Sequence, residues 1–274
     1  MKTNLAVTLL TLSLAGAAWA DDTKPADAKP TDSKPAATLT ADDMHKLLVE
    51  QDDRQRNGGD YKALAYLEQK EKDKADVVRE MFVFRRDSDD KLMLLFAKPK
   101  SEEGKGYLRL DKNLWSYDPS TGKWERATER ERIGGTNSRR SDFDESRLAD
   151  EFDAKFIGEE KLGRFETWCL ELTVKPGVDV AYPVVKLWLD KENHNVLKRQ
   201  EFALSGRLMR TAYYPKWQKL YSDSKKADVW FPGEMRFFDE VEKSNSTLVL
   251  IKSVDLSNLD QNMFTKAWLE SKSR

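Results

Sequence analysis

Phe165-Glu-Thr-Trp-Cys-Leu-Glu-Leu-Thr-Val174, followed by Val184-Val-Lys-Leu-Trp-Leu189, decides the fold. In the first stretch Trp168, Leu170, Leu172 and Val174 fall on one side of an extended chain, with Thr167, Cys169, Glu171 and Thr173 on the other. Val185, Leu187 and Leu189 alternate in the same way in the second. Sustained period-two patterning marks β-strands that bury one face. Asp190-Lys-Glu-Asn-His-Asn195 and Ser205-Gly206 then separate the stretches Val196 to Leu204 and Leu208 to Tyr214, and both spacers have hairpin-turn chemistry.

The same signal extends in both directions. Upstream lie Ala63, Ala65 and Leu67, then Phe82 and Phe84, the run Lys91-Leu-Met-Leu-Leu-Phe-Ala97, and the short stretches Gly106 to Leu110, Leu114 to Tyr117 and Lys123 to Arg126. Downstream are Val229 to Phe238 and Thr247 to Val254. About eleven strands in meander order predict a mainly β chain with one large antiparallel sheet. Leu92, Leu94 and Phe96, Met235 with Phe237, and Leu248 with Leu250 continue its apolar face. Helix is scarce. Thr40-Ala-Asp-Asp43 supplies an N-cap threonine and early acids ahead of Met44, Leu47 and Leu48. A second short helix is expected over Asp144 to Glu151, inside a long charged loop from Arg130 to Asp153. So little helix cannot cover the whole apolar face. Either the sheet closes around an ordinary core, or it offers a concave apolar surface to a ligand.

Composition narrows the classes of partner. With 47 basic and 48 acidic residues in 274, no overall field favours nucleic acid. Met1 to Ala20 has one early lysine, an apolar run from Leu5 to Leu14, and Ala18-Trp19-Ala20 at its end, the pattern of a cleavable signal peptide. The run is shorter than the roughly 20 residues that span a bilayer. Cys169 is the only cysteine, so no thiol is available for acylation at the processed N-terminus. Lys24-Pro25, Lys29-Pro30 and Lys34-Pro35 recur without large apolar residues between them and read as an extended linker. The expected organisation is therefore signal peptide 1–20, linker 21–37 and folded domain 38–274, with a soluble periplasmic product that is not itself lipidated.

No catalytic constellation stands out. The two histidines, His45 and His194, have no companion ligands at zinc-site spacing, so neither metal nor cofactor is expected. No G-x-S-x-G elbow occurs, and Pro119-Ser-Thr-Gly-Lys-Trp124 lacks both the first glycine and the final hydroxyl of a phosphate loop.

Several pieces in order carry a family resemblance. They are Gly106-Tyr-Leu-Arg-Leu-Asp-Lys-Asn-Leu-Trp-Ser-Tyr-Asp-Pro119, Ser141-Asp142-Phe143 with Leu148, Tyr182 with Lys186-Leu-Trp-Leu-Asp190, Gly206-Arg-Leu-Met-Arg210, and Met263-Phe264-Thr265-Lys266 with Leu269. From about Leu39 onward the chain resembles the LolA-like outer membrane lipoprotein-sorting family. The resemblance implies an open half-barrel of about eleven strands, with short helices as a lid, whose concave face holds acyl chains in transit across the periplasm. It also implies a monomeric carrier, not an enzyme, served by an inner-membrane transporter of the ABC or RND type and an outer-membrane acceptor. The expected lining is Leu94, Phe96, Trp168, Leu170, Leu172, Val185, Leu187, Met235 and Phe237. The loop departs from the family's Ser-Phe-Met-Gly-Ser-Asp-Phe, reading Thr136-Asn-Ser-Arg-Arg-Ser-Asp-Phe143, which makes Arg139, Arg140 and Asp142 candidates for a polar latch. Two other readings stay open: an adaptor of the same fold that docks on a membrane complex, and a hydrolase with an unrecognised site.

Overall fold

The computed structural model describes residues 38–56, 58–128, 131–136, 138, 140–143 and 146–273. The expected signal peptide, the linker and Arg139 lie outside the described residues. Helix α1, Ala41–Arg56, opens as its sequence predicts. The Asp43 amide donates to Thr40 Oγ1 at 3.1 Å while Asp43 Oδ2 accepts from the Thr40 amide at 3.0 Å, a reciprocal cap that satisfies two otherwise orphaned donors. The helix turns Met44, Leu47 and Leu48 inward.

Thirteen strands follow: β1 Asp60–Lys70, β2 Val77–Arg86, β3 Lys91–Lys98, β4 Gly106–Leu110, β5 Asn113–Asp118, β6 Lys123–Arg126, β7 Phe152–Leu162, β8 Phe165–Val174, β9 Val184–Asp190, β10 Val196–Phe202, β11 Leu208–Ser222, β12 Ala227–Asp239 and β13 Ser246–Asp255. The remaining helices are α2, Leu148–Glu151, and α3, Lys266–Lys272. All the strands form one antiparallel sheet in the order β6-β5-β4-β3-β2-β1-β13-β12-β11-β10-β9-β8-β7. Its two ends, β6 and β7, do not pair with each other, so the curved sheet is an open half-barrel. Two meanders are joined at the centre where β1 pairs with β13, and the connection from β6 to β7 must cross from one end of the sheet to the other.

The strand that no stretch of the pattern announced is β7. Its sequence, Phe-Asp-Ala-Lys-Phe-Ile-Gly-Glu-Glu-Lys-Leu162, is charged because it forms a sheet edge, where charge discourages pairing with another chain. Register also overturns one facial assignment. Met235 opposes Val249 and Phe237 opposes Thr247, so Val249, not Leu248 or Leu250, points with Met235 and Phe237. The run in β3 is continuously apolar because both of its faces are covered. Leu92, Leu94 and Phe96 enter one core, while Met93 and Leu95 enter a second beneath Met263, Phe264 and Leu269. Gly106 leaves the space that the Leu269 side chain fills.

Candidate functional site: the covered concave face

The concave face carries two apolar fields. Leu170, Leu172, Val185 and Leu187, with Trp168 at the margin, form the field of β8 and β9. Leu94, Phe96 and Phe237, with Met235 at the margin, belong to the field built from β1 to β3 and β11 to β13. The nine expected lining residues are thus divided between two clusters, and each cluster has its own cover.

Helix α1 covers the first. Met44, Leu47 and Leu48 pack into the same cluster as Leu170 and Leu187, with Leu148 and Ala149 of α2 beside them. Polar contacts fix the helix from both sides. Gln51 donates to the His194 carbonyl at 2.9 Å, and His194 Nδ1 lies 2.7 Å from Glu50. Asp52, buried, accepts from the amides of Leu148 and Ala149 at 2.9 Å each and from the Ser146 hydroxyl at 2.5 Å. One carboxylate therefore caps α2 and locks the two helices together.

The β6 to β7 connection covers the second field. Ile133 and Phe143 pack against Leu94, Phe96 and their neighbours. Gly134 lies directly on Phe96, and its amide donates to the Tyr107 hydroxyl at 3.1 Å. Arg140 points back beneath the loop, donating to the Ala127 and Lys112 carbonyls at 3.3 and 2.7 Å. Asp142 receives Arg210 of β11 on both oxygens, at 2.7 Å each. Two of the three expected latch residues are thus placed as anchors of the loop, Arg140 to backbone and Asp142 to a sheet arginine.

Sequence reading did not find the sheet's side of these contacts. Arg210 is 4% exposed, lies 3.3 Å from Glu201 and stacks over Phe237 at 4.4 Å. Burial alone would push its pKa down, yet the Asp142 and Glu201 carboxylates hold it above the ordinary arginine value. Arg85 and Arg109 both donate to the Phe143 carbonyl, at 3.1 and 2.8 Å. Asp90 pairs with both guanidiniums, and Arg85 also binds Asp87, whose carboxyl burial pushes above its usual range. The only available hint was three arginines within otherwise strand-like runs.

A cleft of about 410 Å³ opens between Gly134 and the β4 to β6 hairpins. Phe96 and Tyr107 floor it, and Glu102, Lys105, Asp118 and Lys123 give it a mixed polar wall. Among the described residues no group of three or more His, Cys, Asp or Glu side chains could hold a metal. Cys169 is buried on the opposite face of β8, and that burial pushes its thiol pKa up. No described helix is long and apolar enough to cross a membrane.

A family model described as "Uncharacterized protein" matches residues 88–271, well over half of the chain. The chain belongs to that family. No curated protein matches it by sequence. Among solved structures it is similar to a domain described as an outer membrane lipoprotein-sorting protein from Vibrio parahaemolyticus, with 19% identity, a TM-score of 0.72, and coverage of 84% of this chain and all of that one. A LolA superfamily protein from Nitrosomonas europaea matches at 19% identity and a TM-score of 0.65, covering 84% of this chain and 100% of its own. A DUF1329 family protein from Desulfovibrio piger matches at 18% identity and a TM-score of 0.72, with 85% and 100% coverage. This family member therefore has the LolA-like fold that its sequence resembles, an open antiparallel half-barrel with short helices over it.

Proposed function

We propose that the protein is a non-catalytic periplasmic carrier that holds the acyl chains of a lipid or lipoprotein on the concave face of its half-barrel. It would receive them from an inner-membrane transporter and pass them to an outer-membrane acceptor, as a monomer. Residues 1–20 would be removed on export, and the Lys-Pro segment 21–37 would serve as a spacer.

The observation that carries this reading is that the apolar concave face is roofed by two separate pieces, α1 with α2 and the crossing loop, instead of by a second sheet. Detaching α1 exposes Met44, Leu47 and Leu48, at about 1.5–3 kcal/mol each, so the apolar part of the cost is roughly 5–9 kcal/mol. Burial of a methylene contributes about 0.8 kcal/mol. Some six to eleven methylenes would therefore offset that loss, which is less than one long acyl chain. An apolar cover of this size is one that cargo can replace, because only differential affinity between covered and uncovered states can drive transfer. The similarity of fold to a lipoprotein-sorting domain supports the same reading.

Native mass spectrometry with lipid extraction, on protein recovered gently from a bacterial periplasm, tests it. Near-stoichiometric acylated species are expected, on a chain beginning at Asp21. A clean apo mass, together with no displacement of a hydrophobic dye by added lipid, would leave the concave face as ordinary core and favour an adaptor that carries nothing.

A further inference from the structure

Asp142 and Phe143 of the crossing loop place three oxygens against three arginines of the sheet. Both Asp142 carboxylate oxygens accept from Arg210, and the Phe143 carbonyl accepts from Arg85 and Arg109. The Phe143 ring turns the other way, into the apolar field of Leu94 and Phe96. A two-residue segment thus presents an oxygen-rich anionic end and an apolar end side by side, the layout of an anionic amphiphile.

The arginines stand on β2, β4 and β11, strands held by their own ladders and not by the loop, and all are less than one-tenth exposed. Charge on the sheet is balanced only in part. Among the described residues, Arg85 and Arg109 face Asp87 and Asp90, two against two. Arg210 and Arg199 share, among the described residues, Glu201 alone once Asp142 is withdrawn, two against one. Arg210 Nε, moreover, has no hydrogen-bond partner among the described residues even with the loop in place. A buried guanidinium left without its counter-charge is strongly unfavourable. Whatever displaces the loop must therefore bring a negative charge to Arg210.

We infer that the cargo of the proposed carrier is an anionic amphiphile, whose phosphate or carboxylate head replaces the Asp142 and Phe143 oxygens on Arg210, Arg109 and Arg85 while its chain takes the place of the Phe143 ring. This inference rests on the carrier reading and adds the chemical class of the ligand. The loop then acts as an internal stand-in that keeps the site neutral between cargoes.

The full-length mature chain, incubated with vesicles of phosphatidylglycerol or of phosphatidylcholine with the same acyl chains, separated and weighed by native mass spectrometry, provides the test. Phosphatidylglycerol should load about tenfold or more over phosphatidylcholine. Asp142→Asn, which weakens the stand-in and leaves the arginines intact, should raise phosphatidylglycerol loading further. Equal loading of the two lipids would overturn the anionic-head inference and leave the carrier reading standing. Loading of neither would overturn both. Glycerol phosphate, which has the head without chains, should neither bind measurably nor compete at matched concentration. If it competes as well as the lipid does, the site is one for a soluble anion and the amphiphile inference is wrong.

Discussion

Gly134 rests on the ring of Phe96 so closely that a Cβ added to the glycine would lie 2.5 Å from Phe96 Cζ, and the glycine's φ of +56° is one that only glycine adopts freely. The seat of the crossing loop on the sheet therefore depends on a missing side chain. Gly134→Ala should lose about 1–3 kcal/mol of stability, from backbone strain and overpacking together. The loop should lift before the sheet melts, so a hydrophobic dye should bind the variant at temperatures where its far-ultraviolet circular dichroism is unchanged. Adding Phe96→Leu should recover part of the loss. A Gly134→Ala protein as stable and as dye-silent as the wild type would show that the loop is not seated there in solution.

The Asp142 to Arg210 pair differs in kind from the ion pairs on the protein's surface. Lys46 and Asp42 on α1 have side chains about 70% exposed, and water and salt screen a pair of that sort almost completely. Arg210 is buried, so removing Asp142 leaves a guanidinium with Glu201 as its only nearby acid among the described residues, at a cost of about 3–5 kcal/mol. Denaturant unfolding of Asp142→Ala, Arg210→Met and the double variant should give a coupling energy several times that of the corresponding Lys46 and Asp42 cycle. Equal coupling in the two cycles would mean that the loop anchor is solvent-screened.

Much of this arrangement could be read from the chain, and the unread parts share a cause. Strands β8 and β9 were legible because each buries one apolar face and alternates accordingly. Asp142 was singled out through the Ser-Asp-Phe resemblance. Arg109, by contrast, sits in Gly-Tyr-Leu-Arg-Leu110, where alternation sets Leu108 and Leu110 against it and makes it look outward-facing. In fact Leu108 is buried under α3, and Arg109 is buried under a loop whose Phe143 lies 34 positions away. Such partners are set by topology, and no local pattern encodes them. The same holds for Val249, whose inward direction follows from its register with Met235, and for β7, whose charges reflect its place at the sheet's end.

Alkaline pH should weaken the core around the crossing loop. Tyr61 packs edge-on against Phe231 at 5.0 Å and Tyr214 against Phe237 at 6.4 Å, and burial pushes both hydroxyls up to about 12. In the unfolded chain each would ionise near 10. Between those values the unfolded state holds fewer protons, so stability is fully present below pH 10 and falls as pH rises toward 12. The loss is at most about 3 kcal/mol per tyrosine, and less because both rings are half-buried and partly screened. Stability measured by urea unfolding at intervals from pH 9 to 12 should drop more steeply for the wild type than for a Tyr61→Phe, Tyr214→Phe variant. Parallel curves for the two proteins would assign the alkaline loss to other groups.

Helix α1 should come away as a unit when Asp52 is changed. That carboxylate, 2% exposed, joins α1 to the first turn of α2 through Leu148 and Ala149, and no other described side chain accepts from those amides. Asp52→Ala leaves two buried donors unsatisfied, each costing about 1–3 kcal/mol, whereas Thr40→Ala at the far end of the helix removes only a cap worth about 1 kcal/mol. Hydrogen exchange should separate the two cases. In Asp52→Ala the amides of residues 44–52 and 148–151 should lose protection together while those of β8 and β9 keep it, because the strands are held by their own ladder. In Thr40→Ala only the first turn of α1 should fray. If Asp52→Ala instead deprotects β8 and β9 along with the helix, α1 is an inseparable part of the core and cannot serve as a removable cover over Leu170 and Leu187.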